Sequence, residues 1–88
     1  MNNDLENYRK EIDKIDFEII DLLAKRMSIV DRIAEYKKEN EIAIIDEKRF
    51  SEIIDTRLEM AEKLNTDQNL VESIFQLIHD SSVKRQKR

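Results

Sequence analysis

The 88-residue sequence has no cysteine, no proline, no glycine and no tryptophan. Without cysteine there is no disulfide framework and no thiolate metal site. A single histidine, His79, with no HxxxH or ExxH spacing around it, gives a transition metal little to bind. Glycine is the usual supplier of the positive φ that tight strand connections need, so its absence argues against a β protein. A chain lacking both glycine and proline also has few local reasons to leave the helical state. No apolar run approaches the 18 residues of a membrane span, and the opening MNNDLENYRKE has no apolar core of a signal peptide. The expected compartment is therefore the cytoplasm. The net charge of −4 argues against an electrostatic nucleic-acid binder, which carries a basic excess.

What is present is charge and periodicity. Charged residues make up 41% of the chain with both signs interspersed, which suits long solvated helix faces. The expected organisation is one all-α domain over residues 1–88, and a chain this short buries only roughly 60–65% of its unfolded surface. Leu5, Tyr8, Ile12, Ile15, Ile19, Leu22, Ile29, Ile33 and Tyr36 recur at alternating three- and four-residue spacing, a heptad seam. A second stripe, Ile20, Leu23, Met27, Val30 and Ala34, widens the apolar face. The pattern predicts a first helix over about residues 5–39, roughly 52 Å long. A compact chain of this size is only about 30 Å across, with a radius of gyration near 12 Å. The helix must overhang its own domain, and its seam calls for a second chain, so an intertwined homodimer is expected.

Glu39-Asn40-Glu41 breaks the first helix, and Ile42–Ile45 reads as an apolar loop pinned to the core. Asp46 is a good N-cap for a second helix running to about Leu64, with Phe50, Ile53, Ile54, Leu58 and Ala61 inward. Asn65-Thr66-Asp67 is a polar break. A third helix carries Leu70, Val71, Ile74, Phe75, Leu77, Ile78 and Val83, and the KRQKR tail is expected to fray as a solvated turn. His79 is read as a solvated helix residue.

The functional signal is a set of polar residues interrupting these stripes. Arg26 falls on the seam between Leu22 and Ile29, Lys37 continues the second stripe, and Arg49 adjoins Phe50. Ser82 and Gln86 follow Phe75 and Ile78 at helical spacing. Singly, each has an ordinary explanation: a seam arginine fixes register or snorkels, a lysine near a helix end meets the dipole, and a serine and glutamine belong to a fraying face. Together they describe a pocket whose cations need an anion, because unpartnered buried charge is expensive. Arg26 and Lys37 lie about 20° apart in azimuth and roughly 16 Å apart along the axis, so they can grip two ends of one small ligand. Arg9 is roughly 25 Å from Arg26 along the same axis, beyond the reach of that ligand in its own chain. In an antiparallel dimer the Arg9 of the second chain can reach it.

These residues resemble those of the all-helical (type II) chorismate mutases. The family pattern has an early arginine, I-D-x-I-D/N, L-L-x-x-R and a lysine eleven residues later. Here these are Arg9, Ile12-Asp13 through Asp16, Leu22-Leu23 with Arg26, and Lys37. The family's D-x-x-R matches Asp46 and Arg49, and its F-x-x-I-x-x-x-S-x-x-x-Q matches Phe75, Ile78, Ser82 and Gln86. The resemblance implies an intertwined dimer of three-helix chains that converts chorismate to prephenate, a step toward phenylalanine and tyrosine, with no cofactor. It implies that Arg26 and the second chain's Arg9 hold the two carboxylates, and that Lys37 and Gln86 donate to the ether oxygen. Ser82 and Arg49 would complete the carboxylate end, and backbone near Asp46 would meet the substrate hydroxyl.

One position departs from the family. The residue after D-x-x-R is usually a glutamate accepting from the ring hydroxyl; here it is Phe50. Phe50 is expected to fill part of the pocket wall and weaken catalysis, with Glu47 one turn earlier as a partial substitute. The alternatives are an isochorismate-pyruvate lyase on the same scaffold and a non-catalytic helical dimerisation or regulatory module. A basic-tailed coiled coil for nucleic acid is opposed by the net charge.

Overall fold

The computed structural model describes residues 3–88 and is built from α1 (Asp4–Glu39), α2 (Glu47–Lys63) and α3 (Gln68–Gln86), with no strand among the described residues. The first two residues of the opening segment lie outside that range. No helix of the described residues is long and apolar enough to cross a membrane. The 36 residues of α1 make a rod of roughly 54 Å, and the chain extends 63 × 25 × 16 Å with a radius of gyration of 16.8 Å. A compact chain of this length would have a radius near 12 Å, so the overhang expected from sequence is real.

Helix ends follow local chemistry. Asp46 Oδ1 accepts from the Arg49 backbone N–H at 3.0 Å, and Asp67 Oδ1 accepts from Asn69 and Leu70. Both carboxylates satisfy N–H groups that a first turn leaves open. Asp46→Ala is expected to lower stability by about 1 kcal/mol, read from denaturant melts at fixed protein concentration.

The C-terminal stops of α1 and α2 are closed without glycine. Glu41 (φ 55°) and Asn65 (φ 52°) adopt the left-handed conformation just past each helix. Ile42 N–H then reaches the Lys37 carbonyl and Thr66 N–H the Ala61 carbonyl, both at 2.8 Å. These are Schellman closures, and each non-glycine residue bears a cost of order 1 kcal/mol for its left-handed backbone. The closure after α1 turns the connector back over Lys37, which matters for the site.

α3 packs against both α1 and α2, while the α1 and α2 backbones are not packed directly against each other. On α1 the packed stripe is the second one: Val30 is buried and Leu23, Met27 and Ala34 are half-buried, whereas Ile20 is exposed. Every residue of the heptad seam is uncovered, between 42% for Ile33 and 63% for Tyr8. Residues 3–22 are all exposed. Leu70, Ile74 and Leu77 of α3 are exposed too, so the list of inward residues expected for this helix shortens to Val71, Phe75, Ile78 and Val83. The inward set expected for α2 is half-buried or buried throughout.

Two expectations need correction. The Ile42–Ile45 loop is not pinned as a unit: Ile44 alone is half-buried, while Ile42 and Ile45 stand about half exposed. The basic tail does not fray from Lys84, because α3 continues through Gln86. Arg85 anchors it, with Nε and Nη2 donating to the two carboxylate oxygens of Asp31 at 2.6 and 2.9 Å. This two-point hydrogen bonding holds the Asp31 carboxyl below its ordinary range.

Candidate active site

A cavity of about 360 Å³ opens where the C-terminal half of α1, the start of α2 and the end of α3 converge. That is the size range of small-molecule sites. α1 presents Arg26 and Lys37 across three turns, with Ile29, Val30 and Ile33 between them as an apolar floor. α2 supplies its cap Asp46, then Arg49, Phe50, Ile53 and Arg57; α3 supplies His79, Val83 and Gln86.

At the cavity, two polar pairs tie α1 to α3. Arg26 Nη1 donates to Ser82 Oγ at 3.2 Å, and Ser82, the one buried polar residue among those described, donates to the Ile78 carbonyl at 2.8 Å. The hydroxyl is thus held as an acceptor facing the guanidinium. Lys37 Nζ donates to Gln86 Oε1 at 2.9 Å and to the Ile44 carbonyl at 2.7 Å. An ammonium has three donors, so one remains for a ligand. Gln86 Nε2 donates to the Ser82 carbonyl at 3.3 Å, which keeps its carboxamide beside the lysine. The connector turned back by the Schellman closure is what brings Ile44 to Lys37.

The electrostatics are one-sided. Burial, then the charges of Arg57 and Arg49, push the Arg26 guanidinium below its usual value. Arginine stays charged even so, and an anion among these three guanidiniums would relieve both the burial and the repulsion. Asp46, the only acidic residue lining the cavity among the described residues, has one oxygen committed to its helix cap.

The structure brings Arg26, Lys37, Asp46, Arg49, Phe50, Ser82 and Gln86 together at this junction: Ser82 by its bond to Arg26, the others as lining. It does not bring Arg9, which is exposed near the far end of α1 and pairs only with Glu6 at 3.1 Å among the described residues. Glu47 is exposed and outside the lining, so it is poorly placed to substitute for an acceptor at position 50.

Two lining residues escaped the sequence reading. His79 is not a solvated helix residue: it is half-buried, and its ring stacks on Phe50 with centroids 3.9 Å apart and planes at 24°. Arg57 is half-buried, with its guanidinium 5.8 Å from the Phe75 ring centroid. Spacing carried a signal for both. Phe50, Ile53 and Arg57 share one face of α2, and Phe75, His79, Ser82 and Gln86 share one face of α3.

A three-helix chain with one long helix and a cation-lined cavity at the helix junction defines a small all-helical ligand-binding or enzyme domain. The sequence matches the family described as chorismate mutase type II over residues 8–87. The chorismate mutase of Methanocaldococcus jannaschii is 34% identical over 84 residues, covering 93% of this chain and 85% of that protein. The bifunctional chorismate mutase/prephenate dehydratase of Buchnera aphidicola subsp. Schizaphis graminum is 40% identical over 86 residues, 98% of this chain but 22% of that protein. Its counterpart in Buchnera aphidicola subsp. Acyrthosiphon pisum is 38% identical over 87 residues, 99% of this chain and 23% of that protein. The chain therefore spans under a quarter of the two bifunctional relatives and most of the archaeal one. It belongs to the chorismate mutase type II family.

Proposed function

We propose that this protein rearranges chorismate to prephenate, working as an intertwined dimer in which the Arg9 of one chain serves the cavity of the other. The observation that carries the reading is the pair of cation-centred contacts, Arg26–Ser82 and Lys37–Gln86, set three helical turns apart along one cavity. The reaction breaks a C–O bond as a C–C bond forms within one molecule and moves no proton. What it asks of a site is a folded substrate and stabilisation of charge on the ether oxygen. Arg26 and Arg49, with Arg9 from the second chain, would hold the two carboxylates. The remaining Lys37 N–H and the Gln86 amide would face the ether oxygen as it gains charge. Neither role requires a general base.

The dimer rests on the bare seam. An apolar stripe running the length of a 36-residue helix and exposed at every position is a surface that a second chain covers in water. The single experiment is product analysis with purified protein given chorismate and, separately, isochorismate. Prephenate from the first supports the reading. Salicylate plus pyruvate from the second, without prephenate, would assign the lyase instead, and no turnover of either would leave a non-catalytic helical module.

A further inference from the structure

The cavity's polar groups are unbalanced toward donors. Arg26, Lys37, Arg49 and Arg57 can only donate. Gln86 Oε1 already accepts from Lys37, and Ser82 Oγ already accepts from Arg26. Asp46 Oδ1 is taken by its helix cap. Among the described residues, the side-chain acceptors on the lining that have no donor at all are the second oxygen of Asp46, an exposed residue, and the half-buried imidazole of His79. The His79 side chain makes no hydrogen bond among the described residues; its contact is the stack on Phe50. A stacked ring is gripped by its face, while its nitrogens lie on the edge, and a neutral imidazole offers one of them as an acceptor. A ligand with two carboxylates and one ring hydroxyl satisfies the cations but still brings one hydroxyl proton that needs an acceptor.

We infer that His79 is a substrate-binding residue that accepts this hydroxyl, and that Phe50 fixes the imidazole for the purpose by stacking on it. The inference rests on the chorismate reading above and gives that site its specificity. The aromatic pair does in two residues, on α2 and α3, what a single carboxylate at position 50 would do directly. The cavity then prefers a hydroxylated cyclic dicarboxylate over the same molecule without the hydroxyl.

The test compares kcat/KM on chorismate and on its analogue lacking the ring hydroxyl, for wild type, His79→Phe and His79→Gln. His79→Phe keeps an aromatic ring against Phe50 and removes the acceptor; His79→Gln restores an acceptor without the ring. His79→Phe is expected to lose about tenfold on chorismate and stay within about twofold on the deoxy analogue, with His79→Gln recovering most of the loss. Equal losses on both substrates, or on neither, overturn the inference, because a wall residue does not distinguish them. Wild-type turnover of chorismate tests the underlying reading separately. Should that fail, calorimetric titration of wild type and His79→Phe with a non-reacting cyclic dicarboxylate, with and without its hydroxyl, still decides. A hydroxyl-dependent gain of about tenfold confined to wild type supports the role of His79. No such gain in wild type, or an equal gain in the variant, overturns it.

Discussion

Lys37→Ala is expected to lower kcat for chorismate about 10³-fold, with a much smaller change in KM. The size follows from what the ammonium does in the structure. It is held between Gln86 Oε1 and the Ile44 carbonyl, with one N–H left over. In the proposed transition state that N–H meets an ether oxygen gaining negative charge, and a single preorganised donor of this kind supplies about 10²–10³ in rate. A cation adds to that figure, because its charge acts at short range in a site partly shielded from water. Truncation also leaves two acceptors, Gln86 Oε1 and the Ile44 carbonyl, without their donor beside an incoming dianion. Ground-state binding is expected to suffer less, since in the proposed complex Arg26 and Arg49 would still meet the carboxylates. The measurement is steady-state turnover, with circular dichroism to show that the helices persist. A variant within about twofold of wild-type kcat would remove Lys37 from the chemistry.

This cluster was legible because its members interrupt a strong pattern. An arginine on a heptad seam and a lysine in line with an apolar stripe stand out against their neighbours, and helical spacing puts Ser82 and Gln86 on one face of α3. The three helices were legible for the same reason: periodicity is strong in α1, and Asp46 and Asp67 are good caps. His79 and Arg57 were harder to read because they continue apolar faces from inside, among residues already assigned to packing. Nothing in the one-dimensional pattern says that position 79 will meet position 50, since that contact is made only when α3 docks on α2. The same holds for Arg85: a basic tail reads as solvated until α3 lies against Asp31. Which of two adjacent stripes on α1 faces its own chain was likewise undetermined. Both are apolar, and the choice is set by where α3 packs. The glycine-free helix stops were not anticipated either, because Glu41 is an unusual residue for a left-handed backbone.

Mixing Arg9→Ala with Lys37→Ala, each nearly inactive alone, is expected to restore about one quarter of wild-type activity after subunit exchange. The argument starts from distance. Arg9 lies seventeen positions before Arg26 on one unbroken helix, roughly 25 Å along its axis, and no side chain spans that gap. Its own surroundings give it little to do, for its side chain is 64% exposed and pairs only with Glu6 among the described residues. The stretch that carries it is exposed throughout residues 3–22, and the seam beneath is bare. In the proposed dimer an antiparallel partner would cover that seam and carry each Arg9 toward the other chain's cavity. Random exchange makes about half of the dimers mixed, and in each mixed dimer one cavity combines an intact Lys37 with an intact Arg9. The other cavity lacks both. Were Arg9 to act within its own chain, no mixed dimer would hold a complete site, and activity would stay at the level of the parents. Near-wild-type turnover by Arg9→Ala alone would instead show that Arg26 and Arg49 hold the carboxylates without help, and the long helix would then serve association only.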